Sequence, residues 1–176
     1  MNAYILIGGS SLRMGQSKVA MFLDRVAAAA RGAFDDVFAV QRAGGEGAGG
    51  VATIFESPHG QQAPVFGVAR ALAHANARCF ILGVDYPLIT AALLLRLRAR
   101  FESSDALLMA PRSRGKLQML CAGYDAALLP RIEQRIAEGR LDLRDLVTEV
   151  VDEESYELMN VNTPEEWEEA RRLYEA

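Results

Sequence analysis

The chain has 176 residues, of which 51% are hydrophobic and 24% charged, a composition that suits one domain with a proper core. Its formal net charge of -4 excludes a broad nucleic-acid-binding face, which would need a basic surface to exchange counterions with phosphates, but is compatible with one nucleotide held by local cations. No stretch approaches the ~20 apolar residues of a membrane helix, the apolar run at 3–7 is too short for a signal-peptide core, and Cys79 and Cys121 lack metal-ligand spacing, so a cytoplasmic protein with buried free thiols is expected.

In chain order, strand-like apolar runs at 3–7, 37–40, 51–55 and 79–82 alternate with helical patterns at 19–31, 65–75 and 91–101. Such βαβα alternation predicts a parallel sheet with helices on both faces. A second set follows, with strands at 106–110 and 117–124 around a turn at Ser113-Arg114-Gly115, helices near 126–138 and 143–148, and a short strand at 149–152. Thr163-Pro164-Glu165-Glu166 has the features of a helix start: threonine as N-cap, proline at the first helical position, and glutamate closing a capping box. Residues 44–50, glycine-rich around Glu46 and Ala48, read as a surface loop, and no internal repeat is evident.

The loop after the first strand, Leu6-Ile7-Gly8-Gly9-Ser10-Ser11-Leu12-Arg13-Met14-Gly15-Gln16-Ser17-Lys18, is a phosphate-binding candidate. Glycines let a backbone approach a ligand, Ser10 and Ser11 offer donors, and Arg13 and Lys18 add positive charge. The loop is neither a P-loop nor a dinucleotide fingerprint. In an open α/β sheet, ligands bind outside the carboxyl ends of strands, and the Gly8 loop, Glu56, Asp85 and the Asn160–Asn162 segment all follow strand-like runs, so they are able to converge. Asp85 suits Mg²⁺, which is usually held by one or two carboxylates plus phosphate oxygens; the alternative is a loop Asp bonding its own backbone before Pro87.

Gly8-Gly9-Ser10-x-x-Arg13-Met14-Gly15-x-x-Lys18 resembles the signature loop of nucleotidyltransferases with a Rossmann-like fold, and its Gly-Gly form resembles that of the molybdenum cofactor guanylyltransferases, the MobA family. Ala63-Pro64-Val65-Phe66-Gly67 is similar to that family's Gly-Pro-Leu-Ala-Gly turn, Val84-Asp85-Tyr86-Pro87 to its metal-binding Asp-x-Pro, and Asn160-Val161-Asn162-Thr163-Pro164-Glu165 to its closing Asn-x-Asn-Thr-Pro-Glu. Four departures stand beside these matches: Ser17 and Glu56 where Asp is usual, Ala63 for the first glycine of the turn, and no Gly-Lys-Pro-Leu segment after Lys18.

The resemblance implies a single domain over 1–176 with a three-layer α/β/α Rossmann-like fold and a mostly parallel sheet. It implies transfer of GMP from GTP to the phosphate of molybdopterin, with pyrophosphate released and Mg²⁺ as cofactor. Arg13, Lys18 and Asp85 would be catalytic. The nucleotide would be bound by Leu6, Ile7, Gly8, Gly9, Ser10, Ser11, Arg13, Met14, Gly15, Lys18, Glu56, Gly67 and Asp85. Asn160 and Asn162 would meet the acceptor, and Asp85 with Asn162 the metal. Partners would be GTP, a molybdopterin-type acceptor and, transiently, molybdoenzyme-maturation proteins, with no nucleic acid or membrane. The alternatives are a cytidylyltransferase for the same cofactor or another small phosphate, and a nucleotide-binding protein without turnover.

Other residues divide between chemistry and plain structure. Glu56 suits the N1–H and 2-amino edge of guanine, or is a solvated charge. Asn162 is either a ligand or a shaper of the last helix start. Arg112-Ser113-Arg114-Gly115-Lys116 reads first as a solvated turn protecting a sheet edge, with an acceptor phosphate as the alternative. Arg96, Arg98 and Arg100 do not share one helix face and read as solvated. His59 and His74 have no partner at metal-ligand spacing, and no Ser/His/Asp or Cys/His order is present.

Overall fold

The computed structural model describes residues 1–8, 18–45, 47–58 and 60–175, and the side chains of all of these except Lys18, Tyr174 and Glu175. In the first strand, β1 (Asn2–Leu6), Ala3 and Ile5 face one side together with Ile7 just beyond, while Tyr4 and Leu6 face the other, and all five are buried. A strand with a period of two buries both sets only when both faces of its sheet are covered, which is why its sequence reads as a continuous apolar run. β4 (Cys79–Gly83) does the same, with Phe80 and Leu82 on the first face and Cys79 and Ile81 on the second.

Helices supply both covers. On the first face lie α1 (Lys18–Arg31), α3 (Ala91–Glu102) and α5 (Pro164–Glu175), through Phe22, Val26, Leu93, Leu97, Phe101 and Ala170. On the second lie α2 (Pro64–Ala75) and α4 (Leu129–Ala137), through Val65, Val68, Leu72 and Ile132. The remaining strands are β2 (Val37–Gln41), β3 (Ala52–Phe55), β5 (Leu108–Ser113), β6 (Lys116–Leu117), β7 (Cys121–Tyr124) and β8 (Glu149–Asp152). Among the described residues eight strands form one sheet in the order β3-β2-β1-β4-β7-β5-β6, with β8 on the other edge of β5. The three-layer α/β/α arrangement is thus as expected, and no helix among the described residues is long and apolar enough to cross a membrane.

The sheet is mostly parallel rather than wholly so. β1 pairs in parallel with β2 and β4, β2 with β3, and β5 with β8, whereas β7 runs antiparallel to both β4 and β5. The cause lies in the predicted strand at 117–124, which is two strands. The chain turns back from β5 into β6, turns again where Cys121 N–H donates to Gln118 C=O at 3.0 Å, and then enters the sheet as β7. Two further expectations change. The helix expected over 126–138 opens as a 3₁₀ turn over Ala126–Leu128, capped by Asp125, with Pro130 in the first turn of α4. The helix expected over 143–148 is only a 3₁₀ turn at Arg144–Leu146, because Val147 is already extended and Thr148 Oγ1 accepts from Leu107 and Leu108 N–H. Strand five begins at Leu108, two residues later than predicted, and continues to Ser113.

Cys79 and Cys121 are buried free thiols, as expected, and burial pushes Cys79 up to about 12. Arg98 is not simply solvated: it donates to Ala33 C=O at 2.8 Å and pairs with Asp35 and Glu102. Arg96 and Arg100 pair with Glu153 and Glu149, so α3 is stitched to the β8 edge.

One close approach fixes the α3 layer. A Cβ on Gly123 of β7 would stand 2.3 Å from the ring of Phe101, which is wholly buried. Gly123→Ala should therefore lower unfolding stability by about 1–3 kcal/mol, the usual cost of overpacking. Phe101→Leu should be less damaging in the Gly123→Ala background than in wild type, a sign of coupling that paired denaturant titrations measure directly.

Candidate active site

Two groups of predicted site residues meet at the carboxyl edge of the sheet. The first comprises Leu6 at the end of β1, Glu56 just after β3, and Gly67 in the second turn of α2. A Cβ on Gly67 would lie 3.0 Å from Glu56 Oε1 and 3.1 Å from Leu6 Cδ2, so this helix lacks a side chain where the carboxylate lies against it. Glu56 N–H donates to Gln41 C=O at 2.8 Å, which extends the β2–β3 pairing and fixes where its side chain leaves the sheet. Ile7 is buried in the core, so its backbone is the part available to a ligand. Gly8 is exposed, its φ lies outside the left-handed region, and a Cβ there would meet nothing among the described residues.

The second group is Asp85, Asn160 and Asn162. Asn160 Nδ2 donates to Asp85 Oδ2 at 2.7 Å, and Asn162 Nδ2 donates in turn to Asn160 Oδ1. The main chain runs alongside, with Val161 N–H donating to Asp85 C=O at 2.8 Å. Alternation explains the Asn-x-Asn spacing, since Val161 is wholly buried on the core side while both amides stand on the opposite side. The segment ends in the expected capping box: Glu166 N–H donates to Thr163 Oγ1 at 3.2 Å, and Glu166 Oε2 accepts from Thr163 N–H at 3.1 Å and Asn162 N–H at 2.6 Å. Asn162 thus belongs to both readings made of it, a helix-start residue and a member of the Asp85 cluster. The two groups adjoin because Leu6 and Gly83 are partners in the β1–β4 register.

Gly9, Ser10, Ser11, Arg13, Met14 and Gly15, expected at the nucleotide, lie outside the described residues, as does His59, and Lys18 is described only as the first residue of α1. His74 is no ligand candidate; its Nδ1 shares a 2.9 Å hydrogen bond with the Tyr4 hydroxyl. Among the described residues no three His, Cys, Asp or Glu side chains gather around a metal position. Asp85 with neighbouring amide oxygens would offer a cation one carboxylate and hard oxygen donors, leaving its other ligands to substrate phosphates.

The profile of the MobA-like NTP transferase domain matches residues 3–154. The chain belongs to that family. Among solved structures, this MobA-like domain is similar to Aq1419 from Aquifex aeolicus VF5, with 26% identity, a TM-score of 0.79, and 92% and 93% of the two chains covered. It is also similar in fold to the molybdopterin-guanine dinucleotide biosynthesis protein A of Archaeoglobus fulgidus, with 18% identity, a TM-score of 0.78 and 99% of each chain covered. The 2-C-methyl-D-erythritol 4-phosphate cytidylyltransferase of Thermus thermophilus has 17% identity and a TM-score of 0.70, with 99% of this chain and 98% of that one covered. No curated protein matches the chain.

Three residues of the MobA-like site escaped the sequence reading. A Cβ on Gly83 would fall 2.3 Å from Asp85 Oδ1, so this glycine is the seat of the carboxylate, and its signal was a glycine closing an apolar strand two residues before an Asp. Tyr86 is 2% exposed and donates to Gln118 Oε1 at 3.0 Å. Burial, then the adjacent Asp85 charge, push its phenol well above the ordinary range, with Asn160 opposing, so it stays a neutral donor. Gln118 comes from the turn before β7, which no local pattern places against Tyr86.

Gly83→Ala separates position from stability. The atom in the way is the tip of the Asp85 side chain, while Tyr86 and Leu120 lie at 3.2 and 3.3 Å, so the chain should still fold with the carboxylate displaced. NTP-dependent pyrophosphate release should fall by roughly 10²-fold, the scale of a misplacement near one ångström. Full activity in a variant that melts normally would show that Gly83 does not position Asp85.

Proposed function

We propose that this MobA-like domain transfers GMP from GTP to the phosphate of a molybdopterin-type acceptor, releasing pyrophosphate. The observation that carries the reading is the adjacency of the Leu6, Glu56 and Gly67 group to the Asp85, Asn160 and Asn162 group, in a family of nucleotidyltransferases. Glu56 would accept from the N1–H and 2-amino edge of guanine, with Gly67 leaving room beside it. Asn160 and Asn162 would hold the acceptor. Partner proteins in molybdoenzyme maturation and a cytoplasmic setting belong to the same reading.

An oxygen of the acceptor phosphate attacks the α-phosphorus of GTP; the new O–P bond forms as the bond from the α-phosphorus to the β-phosphate oxygen breaks, and pyrophosphate carries the electron pair away. A phosphate monoester is already ionised, so no strong general base is needed. Asp85 with Asn162 would hold a divalent cation, Mg²⁺ in this reading, which when bound neutralises charge on the triphosphate. Gly83 and Asn160 keep the Asp85 carboxylate at the sheet edge. Arg13 and Lys18 would add fixed positive charge to the phosphates, where a preorganised donor is commonly worth ~10²–10³ in rate.

GTP should bind at least about tenfold more tightly than CTP, or about 1.4 kcal/mol, in calorimetric titrations. Equal or reversed affinities would replace the guanine assignment with the cytidylyl one. Asp85→Asn should abolish the gain in GTP affinity on adding Mg²⁺, and affinity measured in chelator should hold or rise, since a carboxylate beside a triphosphate repels it when no cation lies between. An equal Mg²⁺ gain in both proteins would take Asp85 out of the metal site.

A further inference from the structure

A groove of about 350 Å³ opens between the β5–β6 hairpin and α5, lined by Arg114 and Lys116 on the hairpin, Ser155 and Asn160 beneath, and Glu166 and Glu169 on the helix. Asn160 links it to the Asp85 carboxylate at 2.7 Å. Most arginines of this acidic chain have a carboxylate beside them, among them Arg96, Arg98, Arg100, Arg112, Arg140 and Arg144. Among the described residues, neither the Arg114 guanidinium nor the Lys116 ammonium has one. Glu154, just after β8, accepts instead from the Arg114 main-chain N–H at 3.0 Å.

The turn itself adds a second observation. Arg114 and Gly115 have φ of 49° and 71°, so both central residues of this two-residue hairpin are left-handed. Such turns favour Asn-Gly or Asp-Gly, and a long side chain at the first position costs stability. The hairpin therefore carries an arginine where turn chemistry alone would select asparagine. On the other wall, the Glu166 carboxylate is bonded to the N–H groups of Asn162 and Thr163, and Glu169 stands one turn further along α5. The groove is positive on one side and negative on the other.

We propose that this groove is the acceptor site, that Arg114 and Lys116 bind the acceptor's phosphate, and that Glu169 faces its uncharged, donor-bearing remainder. The inference rests on the nucleotidyl-transfer reading for calling the ligand an acceptor, but not for the anion site itself. It commits to a substrate class: a small phosphomonoester with one anionic end. A polyphosphate or a second acidic group would meet Glu169.

Two measurements test it separately. The full chain, without nucleotide, is titrated with inorganic phosphate while the backbone amides of Ser113, Arg114, Lys116 and Ser155 are followed by NMR. These amides should shift together, and the apparent Kd should rise about tenfold or more in Lys116→Ala and in Arg114→Asn, since a hydrogen bond to a charged group is commonly worth that much. Arg114→Asn should also melt at the same temperature or higher, as the turn chemistry requires, so loss of binding there is not loss of fold. Unmoved hairpin amides, or unchanged affinity in both variants, would overturn the site. In transfer assays the same variants should raise KM for a phosphomonoester acceptor about tenfold and leave KM for GTP unchanged; a rise in KM for GTP alone would assign the groove to the nucleotide instead. Phosphate binding at the hairpin in a chain that transfers nothing would sink the transferase reading and retain the anion site.

Discussion

The position of the Asp85 carboxylate governs what this fold can do, and two bonds to one short segment fix it. Val161 N–H holds the Asp85 main chain at 2.8 Å and Asn160 Nδ2 holds the side chain at 2.7 Å. Together they join a loop after β4 to the residues just before α5, about 75 positions later in sequence. The segment cannot slide by one residue without cost. A one-residue slip would bring Val161 out of the core and drive an asparagine into it, so burial on one side enforces polarity on the other.

Much of the fold was legible because it follows from period and punctuation. Continuous apolar runs in β1 and β4 signalled strands covered on both faces, and Thr163 with Glu166 marked a helix start that the structure reproduces bond for bond. What local pattern does not encode is where a short strand inserts. Leu117–Tyr124 looks like one apolar strand, yet a turn at Gln118 divides it and lets β7 enter antiparallel between β4 and β5. The same blindness hid Gln118 and Gly83, whose importance lies in what stands opposite them. Asp85 was visible because it follows an apolar strand, as the rule for open α/β sheets requires. Asn160 and Asn162 stood out instead through the resemblance of their Asn-x-Asn-Thr-Pro-Glu segment, and a 3₁₀ turn at Tyr156–Leu158 precedes them in place of the strand expected. The hairpin cations were read first as solvated, since a sequence does not show which charges will find partners.

That distribution of partners separates structural from available charge. The pairs joining α3 to β8 and to Asp35 are largely exposed, and exposed pairs contribute little stability each. Their main effect is to use up charge. Among the described residues Arg31, Arg42, Arg70, Arg131 and Arg172 also lack a carboxylate pair, so what sets Arg114 and Lys116 apart is their place together on one hairpin beside a groove that reaches Asn160.

The half-buried polar cluster around Asp85 runs against what stability alone would select. Tyr86 is nearly as buried as the leucines around it, and its hydroxyl still spends its donor on Gln118. Replacing both members of such a pair by apolar groups of similar shape is often neutral or stabilising, whereas removing one member strands the other. The core supplies stability without this cluster, through Phe80, Leu82, Leu93 and Phe101 on one face and Ile81, Leu72 and Ile132 on the other. The cluster therefore contributes geometry: each polar atom holds the next, from Asn162 to Asn160 to Asp85, and the buried side chains beneath give that line of donors little freedom to move.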